Sequence, residues 1–291
     1  MNDIRKAPVM IPVEKLRPFD GHPYKVIDNE EMNNLIDSIQ EQGILSPLIV
    51  RPIENTTDKY EVVSGHRRFR AAEKAGMEEI PAFIYAFDRD AAAIAVVDSN
   101  LHREHILPSE KAFSYKMKMD AMSHQGKRSD ITSGQLVPKS DDRRTAAEIG
   151  AVNNESYKTV QRYIRLTYLI PELLEYMDDG KMALSVGVEL SYLGTDFQYA
   201  VLDAMAQEDC TPSYAQAIRM RKLFRDDALT DDEIYGIMCE EKANQKENVK
   251  IPTDRIRKYF PKEYTTAQIE ETIVKLCEAY HRKRLRDRDE R

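Results

Sequence analysis

The chain has 291 residues, 32% of them charged, no tryptophan and a formal net charge of −7. That length exceeds one ordinary domain, and the acidic balance excludes a uniformly basic nucleic-acid binder while leaving room for a local basic face. Cys210, Cys239 and Cys277 have neither disulfide-framework nor zinc spacing; no run is apolar enough for a bilayer span and residues 1–16 lack a signal-peptide core, so a cytoplasmic protein is expected.

Residues 1–10 read as a loose arm, and MIPVEKLRPF as a short strand with a turn at Pro18. GHPYKV (21–26) is a loop carrying His22 and Lys25. Asp28 is placed to cap a helix over 30–42. Its Met32, Leu35, Ile36 and Ile39 recur at helical spacing, and Gly43 ends it. Residues 47–51 form an apolar strand, and ENTTDK a polar turn into a strand from Tyr60. That strand ends at Ser64-Gly65. Arg67, Arg68 and Arg70 follow, then a helical pattern over 71–75 closed by Gly76, then the strand IPAFIYAF. A strand, a glycine turn and a helix start present unpaired N–H groups and a partial positive charge to an anion. Gly65 lets the backbone approach closely, and arginines add forked donors. On an ordinary surface these arginines would pair with Glu73, Glu78 and Glu79 instead.

From Asp88 the chain turns helical. An alanine-rich helix ends in the polar cluster Asp98, Ser99, Asn100, His102, Arg103 and Glu104. A second helix runs from Pro108 to about Met122, with Phe113, Tyr115, Met117, Met119 and Met122 assigned to the core. Residues 123–142 are polar and glycine-containing and read as a mobile linker. Next come two short helices across a tight turn: the first over 145–152, capped by Thr145, the second capped by Ser156, with Asn153-Asn154 between. Ile149 and Val160 are the buried anchors of this helix-turn-helix, about residues 145–166. Arg143 and Arg144 would face a phosphate backbone. Ser156, Tyr157, Lys158, Thr159, Gln161 and Arg162 would read base edges and phosphates. Further helices fill 171–225, a charged segment follows, and Thr265 or Thr266 caps a last helix with the stripe Ile269, Ile273, Leu276 and Tyr280.

Three segments carry a resemblance in order. SGHRRFRAA resembles the GERRxRA motif of ParB-type partition proteins, DSNLHREHILPSEKA resembles that family's ENLQRxxLxPxEEA, and the helices around VQRYIRL resemble its DNA-binding domain. The resemblance implies an α+β N-terminal ParB/sulfiredoxin-like domain (1–95), an all-α helix-turn-helix domain (96–225) and a small C-terminal helical region (226–291) that serves dimerisation. It implies a site-specific, centromere-binding partition protein acting as a nucleotide-gated clamp on double-stranded DNA at a palindromic site. The expected cofactors are CTP and Mg2+, and the expected partners a second copy of the chain and a ParA-type ATPase, at the nucleoid. By motif position Ser64, Gly65, His66, Arg67 and Arg68 would cradle phosphates, Asn100 would serve metal and triphosphate, and Arg103 would join them.

Three positions depart from the motifs: His66 stands for Glu, Ser99 for Glu, and Ser46 for the Gln of GxxQP. The loss of Glu at 99 weakens magnesium binding and turnover, and that of Gln weakens base selectivity; a guanidinium-lined anion pocket survives all three changes. The alternatives are a CTP hydrolase or nuclease, and a nucleoid-occlusion or transcription regulator on the same fold. Sulfiredoxin-type chemistry is excluded because Gly65 stands where its thiol would be. His66, His102 and His105 have no carboxylate or thiol spaced with them as a ligand set.

Overall fold

A computed structural model describes residues 7–100, 105–133, 141–240, 253–261 and 263–289. The chain divides into two compact units, Met1–Glu240 and Glu241–Arg291. No described helix is long and apolar enough to cross a membrane.

The first unit opens on a five-stranded sheet: β1 (Val9–Pro12), β2 (Leu16–Pro18), β3 (Leu48–Pro52), β4 (Tyr60–Ser64) and β5 (Glu79–Ile84), in the order β1-β5-β3-β4-β2. β1 with β5 and β3 with β4 are antiparallel; β2 with β4 and β3 with β5 are parallel. The ENTTDK turn closes the β3–β4 hairpin, with Ile53 N–H donating to Lys59 O at 2.9 Å and Asn55 and Asp58 in left-handed conformations. The period of two then divides the side chains between two faces. Leu48, Val50, Val62, Ile80 and Ala82 pack with Phe69 and Ala72 of α2 (His66–Lys74). Val63 points the other way, into a cluster with Phe19, Tyr24 and Ala92, Ala93 and Val96 of α3 (Arg89–Asp98). α1 (Glu30–Gln42) lies against α2 through Met32, Ile39 and Ala71. Each Val, Leu, Ile, Met or Phe among them contributes about 1.5–3 kcal/mol on burial.

The helix over 30–42 has the expected bounds, and Gly43 ends it at φ +70°. Its cap is Asn29, not Asp28: Asn29 Oδ1 accepts from Met32 N at 3.1 Å. Asp28 instead holds Lys74 at 2.7 Å and Arg70 at 3.3 Å, because two cations on the facing helix outbid one amide. α2 also begins earlier than the alanines suggest. It starts at His66, so all three arginines are helical.

The rest of the first unit is α-helical: α4 (Pro108–Ser133), α5 (Asp141–Ala151), α6 (Tyr157–Leu166), α7 (Pro171–Asp178), α8 (Leu184–Leu190), α9 (Thr195–Gln207), α10 (Tyr214–Arg225) and α11 (Asp231–Cys239). α4 packs against α3, α5, α6 and α7. It corrects the linker assigned to 123–142: the helix continues to Ser133 and α5 starts at Asp141, with 134–140 outside the described residues. Thr145 is not a cap but a buried residue inside α5. Of the expected α4 core stripe, Tyr115 is fully buried, whereas Phe113 is 42% exposed.

The second unit holds α12 (Thr253–Ile256), a 3-10 turn (Arg257–Tyr259) and α13 (Thr266–Asp289). Thr265 caps α13: its Oγ1 accepts from Gln268 N, and Gln268 Oε1 accepts from Thr265 N at 2.8 Å. Of the α13 stripe Ile269 is buried, while Leu276 and Tyr280 are exposed.

Candidate functional site

Three segments far apart in sequence line one polar cleft of about 280 Å³: His22, Tyr24, Lys25 and Val26; Ser64 to Arg68; and Ser99 with Asn100. The second segment is the end of β4 and the start of α2. Gly65 is the N-terminal cap residue at φ +102°, and no side chain caps the helix there. The first intrahelical bond runs from Phe69 N to Gly65 O. The N–H groups of Arg67 and Arg68 therefore have no partner within the helix, and no acidic residue occupies its first turn. Helix N–H groups in this state suit an anion. A methyl group on Gly65 would sit 3.1 Å from both Arg68 Nη2 and Leu48 Cγ.

The arginines divide their work. Arg68 folds back so that Nη1 donates to Ser46 O and Pro47 O, which fixes the guanidinium beside Gly65. Burial lowers its pKa, yet a guanidinium remains charged. Among the described residues Arg67 makes only an exposed pair with Glu31 at 3.0 Å, a contact of at most about 1 kcal/mol that a phosphate can replace. Arg70 faces away to Asp28 and Glu73. Glu78 and Glu79 take none of the described arginine pairs.

The loop 19–26 forms the opposite wall, and sequence reading did not assign it to the site. It is clamped along its length. Phe19 N–H donates to His66 Nε2 (3.4 Å), Asp20 N–H to Glu61 Oε1 (3.0 Å), Tyr24 Oη to Val97 O (3.4 Å), and Lys25 N–H to Glu110 Oε1 (2.8 Å). His22 Nδ1 donates to Tyr24 O at 2.8 Å, and its ring lies 3.6 Å from that of His66. Glu61 itself is buried between Arg51 (2.7 Å) and Arg89 (3.1 Å), and Arg89 stacks on Phe19. The signal for this wall was the cationic pair His22 and Lys25 beside Pro23, which has no fixed spacing to the arginine motif.

Asn100 is buried at the end of α3 and lines the cleft; its Nδ2 donates to Val96 O (2.8 Å) and Ser99 Oγ (3.1 Å), which commits the amide nitrogen and leaves the amide oxygen as the atom that could serve a ligand. No group of three or more His, Cys, Asp or Glu among the described residues could hold a metal ion. Magnesium that keeps waters and takes its other oxygens from a triphosphate needs little more than one such protein oxygen, so Asn100 fits that role and no carboxylate cage is required. Arg103 lies outside the described residues.

The second cluster is on α5 and α6. Ser156 Oγ accepts from Thr159 N at 3.2 Å and caps α6 as expected. Asn154 is left-handed at φ +55°. Val160 and Ile149 are fully buried, leaving Lys158, Gln161 and Arg162 exposed on one stripe, with Tyr157 and Thr159 half-buried beside it. Arg143 is exposed and stacks on Tyr157 at 4.4 Å; Arg144 is exposed and paired with Glu148 at 3.2 Å. Gly150 was not singled out by the sequence, yet a Cβ there would lie 2.4 Å from Glu155 O and 3.1 Å from Val160 Cγ2. The turn is tied to α4. Glu155 takes Lys111 and Tyr115 Oη (2.8 Å), and Asn153 donates to the same hydroxyl at 3.0 Å. Burial, with the Glu155 bond, pushes the Tyr115 pKa well up.

A family model described as the ParB N-terminal domain matches residues 2–101. The chain is 32% identical over 214 residues to the chromosome-partitioning protein Spo0J of Thermus thermophilus, across 73% of this chain and 70% of that protein. It is 28% identical over 171 residues to the chromosome-partitioning protein ParB of Caulobacter vibrioides, covering 59% of this chain and 50% of that one. With a nucleoid occlusion protein of Listeria monocytogenes it shares 38% identity over 111 residues, 38% of each chain. The chain thus spans half or less of the last two relatives. A solved C-terminally truncated ParB from Caulobacter crescentus, complexed to the centromeric parS site, aligns at TM-score 0.41 and 20% identity over 79% of this chain and 98% of that one.

Proposed function

Because this chain belongs to the ParB family of chromosome-partitioning proteins, we propose that it is a centromere-binding partition protein whose grip on double-stranded DNA is gated by CTP. The observation that carries the reading is the cleft. The family's motif residues Ser64 to Arg68 and Asn100 converge there with uncapped helix N–H groups.

In this reading the α2 N-terminus, Arg67 and Arg68 hold the phosphates, and Lys25 approaches from the facing loop. Asn100 would supply an oxygen to Mg2+, whose charge would offset that of the phosphates. The described lining contains no Asp or Glu, which favours binding over rapid hydrolysis. Residues 1–95 form the nucleotide domain and 96–225 the DNA domain, with α5 and α6 as its helix-turn-helix. α6 enters the major groove with Ser156, Tyr157, Lys158, Thr159, Gln161 and Arg162, and Arg143 and Arg144 contact the backbone. The region 226–291 dimerises through the exposed Leu276 and Tyr280 face of α13, and the protein acts at the nucleoid with a ParA-type ATPase.

The test is enrichment and sequencing of genomic fragments bound by the chain, followed by affinity measurement on the recovered site. Arg162→Ala is expected to weaken specific binding by about 1–3 kcal/mol and leave CTP binding intact. Wild-type affinity of that variant for the recovered site would exclude α6 as the reader. Similarity to a nucleoid occlusion protein favours a second reading. Sites scattered away from a replication origin would select it.

A further inference from the structure

One cation is shared between the cleft and the helical half. Lys25 lines the cleft, and its Nζ lies 3.0 Å from Asp178 Oδ2 at the end of α7. Asp178 is a buried carboxylate, with its side chain 7% exposed. Its other contacts cap α4: Ser109 N–H donates to Oδ1 at 2.9 Å, and Ser109 Oγ to Oδ2 at 2.6 Å. The backbone of Lys25 is held at the same place, through Glu110 Oε1, whose second oxygen accepts from Leu107 N at 3.1 Å. Three elements thus meet at two carboxylates: the loop facing the phosphate cradle, the first turn of α4, and the last residue of α7.

We propose that Lys25 and Asp178 form a latch, in which an anion bound in the cleft competes with Asp178 for the Lys25 ammonium. This deepens the nucleotide-gated reading above and rests on it. The Lys25 side chain is half exposed, so its ammonium can turn on a flexible stem towards a phosphate. Asp178 cannot follow, because two Ser109 donors hold it. Drawing Lys25 away leaves Asp178 as a pure helix cap with one charge partner fewer, so the α4–α7 junction changes with occupancy of the cleft. Linkage makes the effect reciprocal: whatever strengthens Lys25–Asp178 weakens the anion, and the converse.

The test is calorimetric titration of the full chain with CTP and Mg2+, and with inorganic tripolyphosphate. Lys25→Met is expected to weaken binding of both about fivefold, the scale of a part-exposed ion pair. Asp178→Asn removes the competitor and is expected to tighten binding by a similar factor. In the Lys25→Met background the same Asp178→Asn change is expected to have no effect, because the competition has no cation to act on. Ser109→Ala removes one of the two donors that hold Asp178 but leaves its charge facing Lys25, and is expected not to tighten binding. Equal tightening by Asp178→Asn with and without Lys25 would mean a long-range charge effect and overturn the latch. So would Ser109→Ala reproducing Asp178→Asn. A wild-type chain that binds neither CTP nor tripolyphosphate overturns both this inference and the reading beneath it.

Discussion

Gly150→Ala separates two physical arguments by the sign of its effect. Gly150 lies within α5, and on helix propensity alone alanine there stabilises by about 1 kcal/mol. The turn opposes that gain. The new Cβ would lie 2.4 Å from the carbonyl oxygen of Glu155 and 3.1 Å from Val160 Cγ2. An ordinary carbon–oxygen approach is about 3.3 Å or more, so the two backbones must separate by roughly 1 Å. Gly150 O accepts from Asn153 N (3.0 Å) and Glu155 N (2.9 Å), and those bonds close the turn. Overpacking costs about 1–3 kcal/mol, and weakening one of the bonds adds about 1 kcal/mol. The net expectation is a loss of about 1–3 kcal/mol. Urea unfolding of the full chain measures the stability, and calorimetry and DNA titration measure the two ligands. Specific DNA binding is expected to fall, because α6 is displaced, while CTP affinity stays unchanged. An unchanged or higher midpoint of unfolding would show that propensity outweighs the clash and refute the account of the turn.

Gly65→Ala places a methyl group at φ +102°, against Arg68 Nη2 and Leu48, so calorimetry is expected to register at least tenfold weaker CTP binding with DNA affinity on an isolated site retained; unaltered CTP affinity would remove Gly65 from the cradle. Glu61→Ala leaves the buried Arg51 only its long pair with the exposed Glu54, at 3.8 Å, and denaturant unfolding is expected to show a loss of about 3–5 kcal/mol. Near-normal stability of that variant would mean that Arg51 finds another partner or solvent. Asp28 is held below its ordinary 3.8 chiefly by the hydrogen bond to Lys74, then by Arg70. With the folded value depressed, its stabilising contribution is present above the unfolded pKa and fades as pH falls through the folded one. An NMR titration is expected to find the Asp28 carboxyl titrating below the usual aspartate range, and Lys74→Met to raise it; an unmoved midpoint in that variant would sink the assignment.

The legible parts of this chain were those where one local signal suffices. The helix over 30–42 was bounded correctly because Gly43 can take φ +70° at little cost. The arginine turn was legible because Gly65, a strand end and a helix start are consecutive. Ser156 as a cap followed from the same local chemistry. What could not be read depends on long-range partners. Asp28 and Asn29 are equally good caps in isolation, and only Lys74 and Arg70, more than forty residues away, decide between them. The extension of α4 to Ser133 runs through a stretch whose composition reads as loop; α3 and α5, packed against this helix, lie outside any local window. The far wall of the cleft was missed because Glu61, Val97 and Glu110 shape the path of 19–26 from three other elements.

Those long-range ties also explain why two sites so different in chemistry lie close enough to influence one another. α4 meets the cleft loop at Glu110, the end of α7 at Ser109, and the α5–α6 turn at Lys111 and Tyr115. Between Glu110 and Tyr115 a helix rises only about 7.5 Å. Lys111 is next to Glu110 in sequence yet reaches Glu155, because successive residues on a helix point about 100° apart. A shift of the first turn of α4 therefore reaches both sites without passing through a flexible segment. Packed interiors transmit strain of this kind. The buried Tyr115 hydroxyl, shared by Glu155 and Asn153, keeps the turn in register with the helix. Coupling between anion and DNA, if carried here, runs through one helix and two carboxylates, Glu110 and Glu155, each bonded to two groups. Tyr115→Phe tests the DNA end of that path alone: it removes the hydroxyl that Glu155 and Asn153 share and leaves Lys25, Asp178 and the cleft untouched. Loss of the CTP effect on DNA affinity in that variant, with CTP affinity itself preserved, is the result that places the path in α4.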